Sequence, residues 1–253
     1  MEIAIPSSSL INERDEKIKF FKIGMIARTC AVFRVECVYI YYDPALDESD
    51  LIKEVLDYLE TPQYLRKYLF PLKKSLRYAG ILPPLKIPSH RPKDLKIGEV
   101  REGIIVRVAP DGTAWADIGM KALALYKGKA REGARVTVRV CSKKPLVVEE
   151  ASPDEYWGYK VKKADLEDLL EREDSVVTSR KGRIPLPDEM KKKNLMIFGS
   201  PVEGVQEIAE KLELRIEDVD VWNMFPGQGT QTVRLEEAVL GSLTLMNYAK
   251  WVV

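Results

Sequence analysis

The chain has 253 residues, 45% of them hydrophobic, enough for one large domain or two smaller ones around a sizeable core. Its 40 basic and 39 acidic residues leave a formal net charge of +1, which excludes a polycation and confines any nucleic-acid surface to a local patch. His90 is the single histidine, so Ser-His-Asp triads and multi-histidine metal sites are excluded and no metal is expected.

Residues 2–6, EIAIP, predict a short strand. SSSLINERDEK then supplies cap-type residues and early acids for a helix over EKIKFFKIGMIARTCAVFRV, with Ile18, Phe21, Ile23, Ile26, Cys30 and Phe33 near one face. CVYIYYD predicts a strand, and ESDLIKEVLDYLETPQYLRKYLF a helix up to Thr61, where Pro62 interrupts it. Strand, helix, strand, helix implies a parallel sheet with crossover helices.

The prolines of AGILPPLKIPSHRPKDL, residues 79–95, mark a linker. EVREGIIVRVA, TAWADIG, KALALYKG, ARVTVRVC and PLVVEEA follow as five short strands between Gly or Pro turns. They predict a small β-barrel of OB type over about residues 93–150. Alternation then returns: YWGYKVKKADLEDLLERE as an aromatic strand and helix, SVVTSRKG as a strand with a loop, then two strand–Gly loop–helix units. The expected architecture is one α/β domain, residues 1–88 and 153–253, interrupted by a barrel at 89–152.

Three strand ends finish in small-residue loops: Thr178 and Ser179 through Gly182; Gly199, Ser200 and Pro201 through Gly204; and PGQGT, residues 226–230. Ligands of open α/β sheets bind beyond the carboxyl ends of strands, so the three can line one pocket. PGQGTQT lacks the Gly-Lys-Ser/Thr ending of a phosphate loop, and ordinary turns remain the alternative. Glu236 and Glu237 open the last helix, where acids complement the helix dipole; a Glu that takes a proton is the functional alternative.

Basic residues cluster with tyrosines in YLRKYLFPLKKSLRY, as Arg66, Lys67, Lys73, Lys74 and Arg77. This is either a solvated face or a nucleic-acid surface. On the barrel, Trp115, Lys121, Tyr126 and Lys127 fall on or near the face with which OB folds often bind oligonucleotides. YWGYKVKK, residues 156–163, reads as a core strand with a solvated basic edge or as a base-stacking platform. Three cysteines without a CxxC pair, no signal-peptide pattern at the start and no apolar run near 20 residues point to a cytoplasmic protein off the membrane.

TPQYLRKYLFP, LRYAGILPPL, VREGIIV, YWGY, IFGSPVEG and above all NMFPGQGTQTVRLEEA resemble the SPOUT-class RNA methyltransferase family of uridine N3-methyltransferases and their archaeal homologues, in order along nearly the whole chain. The resemblance implies an α/β domain with a C-terminal trefoil knot and an OB-like insertion. It also implies S-adenosylmethionine in the knot loops, a homodimer and an RNA substrate, ribosomal RNA being favoured. The implied cofactor residues are Thr178, Ser179, Gly199, Ser200, Pro201, Gly204, Met224, Phe225, Gly227, Gly229, Thr230, Thr232 and Val233. Arg28, in GMIARTC, matches a functional arginine near the partner's cofactor, and Glu236 is the candidate base for a uridine N3 proton. The competing readings are a non-catalytic RNA-binding ribosome-assembly factor and a ribose 2′-O-methyltransferase.

Overall fold

The computed structural model describes residues 1–71, 73–90, 94–216 and 219–252, so residues 91–93 of the expected linker lie outside the described residues. Two compact units emerge: an α/β unit of Met1–Leu59, Ser75–Leu85 and Tyr159–Val253, and a barrel unit of Glu60–Lys74 and Lys86–Gly158.

The α/β unit begins with β1 (Glu2–Pro6), whose Ile3, Ala4 and Ile5 are fully buried, as expected of a strand covered on both faces. Helix α1 (Glu16–Val32) starts where Asp15 accepts a hydrogen bond from the Lys17 amide at 2.7 Å. Its buried stripe is Phe20, Ile23, Ile26, Ala27 and Cys30. Ile18 and Phe21, expected on that face, are 45% and 54% exposed, because the inward stripe runs through Phe20 and apolar residues occur on both sides of the helix. Gly24 sits under Pro83: a Cβ there would lie 2.8 Å from the proline Cδ.

Strand β2 (Cys37–Tyr41) pairs parallel with β1, Ile3 beside Val38. Helix α2 (Ser49–Glu60) stops before Pro62, and α3 (Gln63–Leu69) restarts behind it, as the restriction on a residue preceding proline requires.

In the last third, β8 (Lys160–Ala164) and α4 (Leu166–Leu170) are followed by β9 (Ser175–Arg183), α5 (Pro187–Met190), β10 (Leu195–Ile197), α6 (Val205–Lys211), β11 (Val221–Trp222) and α7 (Leu235–Val252). All sheet pairings are parallel, in the order β11-β9-β10-β1-β2-β8. The aromatic run YWGY is not strand. Gly158 turns the chain at φ +135°, a conformation that breaks period-2 alternation, and pairing begins at Lys160. Its lysines, Lys160, Lys162 and Lys163, are exposed on an edge strand.

The barrel unit closes β3 (Val100–Val108), β4 (Ala114–Asp117), β5 (Ala124–Lys127), β6 (Arg135–Lys143) and β7 (Leu146–Glu150) in the order β3-β4-β5-β7-β6. The small interior is filled by Ile105, Val138, Val140 and Val148 against Ala114, Ala116 and Ala124, whose short side chains suit a narrow barrel. Tyr126 is one of these inward residues, 5% exposed, with its ring against Gly128. Alternation along β5 therefore removes it from the outer face where it was expected.

Candidate active site

Strands β9, β10 and β11 lie side by side, and one pocket of about 340 Å³ in the α/β unit is walled by Thr178–Lys181 of β9 and by the loops that follow β10 and β11. Residues 178–182, expected as a loop, are strand instead, because β9 pairs with β11 as far as Arg183, with a bulge on the way. That volume lies in the range of small-ligand sites, about 300–1,000 Å³. From the expected set, Thr178, Ser179, Gly199, Ser200, Pro201, Gly204, Met224, Phe225, Thr232 and Val233 line it. Gly227, Gly229 and Thr230 are exposed residues of the same loop and are not among the lining residues. Gly227 makes the turn at φ +70°.

Local hydrogen bonds set each wall. Thr178, within β9, donates to the Ile197 carbonyl at 3.1 Å, tying β9 to the end of β10. Tyr41 donates to the Phe198 carbonyl at 2.6 Å, so β2 steadies the next residue of that wall. Gly199 and Gly204 approach so closely that a Cβ on Gly199 would lie 2.6 Å from the Glu203 oxygen, and the Ser200 hydroxyl accepts the Glu203 amide at 2.9 Å. On the third wall, Asn223 accepts the Phe225 amide at 3.0 Å and donates to the Arg180 carbonyl at 3.1 Å. Arg180 in turn donates to the Gln231 carbonyl at 3.0 Å. Gly182 lets β9 touch β11, since a Cβ there would be 2.6 Å from the Val221 oxygen.

The mouth is charged and the floor is apolar. Lys181 bonds Glu207 at 2.9 Å, and that hydrogen bond holds the Glu207 carboxyl below the usual carboxylate range. Glu203 is paired with Lys211 at 2.5 Å. Deeper, Phe198, Met224, Phe225, Leu235 and Ala238 supply apolar surface. Among them sit two polar side chains that sequence reasoning missed, Trp222 and Ser242. Both are buried, and the indole Nε1 and the Ser242 Oγ have no hydrogen-bond partner. A buried polar group left unmade costs about 1–3 kcal/mol, so this floor suits a ligand that supplies the partners. No loop signal marks these residues: one ends a strand and the other lies two turns into a helix.

Arg28 and Glu236 lie outside the pocket. Arg28 donates to the Leu85 carbonyl. Glu236 faces α1, with its carboxylate 3.8 Å from Lys22, which is paired with Glu13 at 2.5 Å. Its neighbour Glu237 accepts the Arg234 amide at 3.0 Å and caps α7.

The basic residues divide between the units. Arg66, Lys67, Lys73 and Lys74 belong to the barrel unit, and Arg77 to the α/β unit. Arg66 holds the Thr61 carbonyl at 2.9 Å; Lys67 lies 3.1 Å from Asp117 and over the Tyr68 ring, and that carboxylate raises its pKa. Lys73 and Lys74 are exposed, whereas Arg77 pairs with Glu16 and stacks on Tyr78. On the barrel, Lys121 and Lys127 are exposed, and Arg107, not anticipated, lies 4.6 Å from the Trp115 ring. Among the described residues no group of three His, Cys, Asp or Glu side chains could hold a metal ion. No helix there is long and apolar enough to cross a membrane.

A parallel open sheet with a small-ligand pocket at its carboxyl edge defines an α/β ligand-binding protein, here with a barrel inserted. The chain belongs to the family described as "Putative RNA methyltransferase", whose model matches residues 1–246, and it is an RNA methyltransferase. An uncharacterized protein of Halobacterium salinarum is 33% identical over 96% of this chain and 98% of its own length. The 28S rRNA (uridine-N(3))-methyltransferase of Drosophila melanogaster is 30% identical, covering 97% of this chain and 61% of its own. The human protein of the same name is 30% identical over 97% of this chain and 77% of its own.

Proposed function

We propose that the protein methylates N3 of a uridine in ribosomal RNA, with S-adenosylmethionine as donor. The observation that carries the cofactor reading is the three-walled pocket beside β9 and beyond β10 and β11, with two unpartnered polar side chains in its floor. The names of the fly and human relatives support the uridine and the ribosomal RNA. The pocket's loops would hold the donor, which supplies an electrophilic methyl group on a sulfonium.

The protein's own tasks are to orient the uridine for in-line attack and to take the N3 proton. N3 lies on the pairing edge, so the base must be unpaired or flipped out. We assign the proton to Glu236 and stabilisation of the developing oxygen charge on the ring to Arg28. Because both stand outside the pocket of their own chain, they serve the pocket of a second copy. A homodimer is supported by apolar side chains left exposed on α1 and α7, among them Phe21 at 54%, Tyr248 at 57% and Trp251 at 75%. The fold is then of SPOUT class, with a C-terminal trefoil knot. The bond from Arg180 of β9 to the Gln231 carbonyl supports a close course of the segment after β11 past β9.

Nucleoside mass spectrometry of ribosomal RNA from a strain lacking the gene tests the activity. Loss of one N3-methyluridine is expected, and loss of a ribose-methylated nucleoside instead would overturn the choice of atom. Single-turnover methylation by Glu236→Gln tests the base; a rate near wild type removes Glu236 from that role.

A further inference from the structure

The pocket floor holds an unmet pair of hydrogen-bonding groups whose chemistry selects a ligand. Trp222 ends β11 and Ser242 lies on α7; they are 0% and 1% exposed, and neither polar atom has a partner. Tryptophan offers only a donor, and serine both donates and accepts. The surroundings, including Phe198, Met224 and Leu235, are apolar, while the charged side chains belong to the mouth. A carboxylate, ammonium or sulfonium placed on this floor would be desolvated without a counter-charge. A flat, neutral heterocycle carrying both an acceptor and a donor satisfies the floor.

We propose that Trp222 and Ser242 form the base-specificity subsite of the pocket: the indole N–H donates to a ring nitrogen of adenine, and the Ser242 hydroxyl accepts from its exocyclic amine. The assignment rests on the reading of the pocket as a site for an adenosyl cofactor and adds the residues that read its base. It explains why two polar groups are kept in a wall that apolar residues could fill.

The pair makes a second, opposite prediction for the free protein. Removing a group that already has a partner lowers stability, whereas removing an orphan leaves stability unchanged or raises it. Ser242→Ala, a nearly isosteric change, should therefore melt no lower than wild type without ligand, yet bind more weakly. Trp222→Phe also binds more weakly, but it empties volume at a fully buried position and lowers the melting temperature for that reason alone.

Calorimetry and thermal shift with S-adenosylhomocysteine and its inosine analogue, whose base carries a carbonyl in place of the amine, test this on the full chain. Wild type should bind S-adenosylhomocysteine and discriminate against the inosine analogue. Each variant should lose about fivefold to tenfold in affinity, the scale of one neutral hydrogen bond. Trp222→Phe should lose the discrimination, because the inosine base carries a proton on the ring nitrogen beside its carbonyl and opposes the indole donor there. Ser242→Ala should keep it, because a hydroxyl that accepts from the amine can donate to the carbonyl. Wild-type affinity in both variants, or a lowered melting temperature of free Ser242→Ala, overturns the subsite while leaving the cofactor reading intact. Failure of folded wild type to bind S-adenosylhomocysteine defeats the cofactor reading and the subsite with it.

Discussion

Arg135 grips Glu60 with two nitrogens, Nη1 and Nη2 lying 2.6 and 2.9 Å from its two carboxylate oxygens, while Nε bonds Glu102 at 2.5 Å. Glu102 is 3% exposed and also accepts from Thr137 at 2.6 Å and from the Trp157 indole at 2.5 Å. A single guanidinium thus ties the end of α2 and the barrel strands β3 and β6 together within the barrel unit. Burial pulls the Arg135 pKa down, but Glu60 and Glu102 outweigh it, and the net direction is upward.

Removing this cation leaves two carboxylates facing each other in a dry site. Arg135→Met should destabilise the protein by about 3 kcal/mol in denaturant unfolding. The double variant Arg135→Met with Glu102→Gln should recover part of the loss, since the uncompensated charge goes with it. A change below about 1 kcal/mol in the single variant would show that the barrel does not depend on the clamp.

His90 gives a pH dependence of defined sign. Its Nε2 lies 2.7 Å from the Glu60 carbonyl, and burial, reinforced by the Arg66 and Arg135 charges, pushes its pKa below the ordinary 6.5. The unfolded chain therefore binds this proton at a pH where the folded protein does not. The stability His90 contributes is complete above about pH 6.5 and is lost as the pH falls toward the lowered folded value. Melting temperatures from pH 7.5 to 5 should decline in wild type and decline less in His90→Gln. Parallel curves for the two proteins would contradict this origin.

Two glycines of the pocket loops should respond in opposite ways. Gly199→Ala forces a Cβ to 2.6 Å from the Glu203 oxygen and 2.8 Å from the Gly204 Cα, so the second wall must move. A Cβ on Gly229 meets nothing within 4 Å. Isothermal titration with S-adenosylmethionine should show at least about tenfold weaker binding for Gly199→Ala, or about 1.4 kcal/mol. Gly229→Ala should bind as wild type does, and a large loss there would place the ligand further out along the loop.

Trp115 and Arg107 form a cation–π pair on the outside of the barrel, and Trp115 faces Leu125 across the strand pair. If RNA runs over this face, an unpaired base stacks there. Trp115→Ala should then weaken single-stranded RNA binding about tenfold in fluorescence titrations. Lys121→Ala and Lys127→Ala should each make the salt dependence shallower, by about 0.7 for each phosphate that the lysine neutralises. Unchanged affinity and salt slope in all three variants would move the RNA elsewhere.

Much of the fold was legible because local signals were strong. Pro62 divides α2 from α3, Asp15 caps α1, and Gly or Pro turns separate the five barrel strands. The direction of α1 was less so: with apolar residues on both of its sides, only packing decides that Phe20 is buried and Phe21 exposed. Tyr156 to Tyr159 has strand composition, yet the Gly158 turn keeps it out of the sheet ladder, which begins at Lys160. Most of the expected cofactor residues do line one pocket: those after β10 and β11 because small-residue loops at strand ends are a local feature with a fixed consequence in a parallel sheet, Thr178 and Ser179 because β9, which carries them, runs alongside those loops.

The amino-acid order by itself determined most of the elements, the barrel and the loops after β10 and β11, since propensity, turn chemistry and hydrophobic period all act over a few residues; it misplaced YWGY as strand and residues 178–182 as loop. Only the tertiary structure decided that β9, β10 and β11 lie side by side although they are separated by up to 46 positions, Ser175 to Val221. It alone brought Trp222 and Ser242 into one floor and turned Glu236 toward Lys22. Strand order and the facing of a helix are settled by which surfaces are buried together, and that free energy belongs to pairs of segments far apart in the chain.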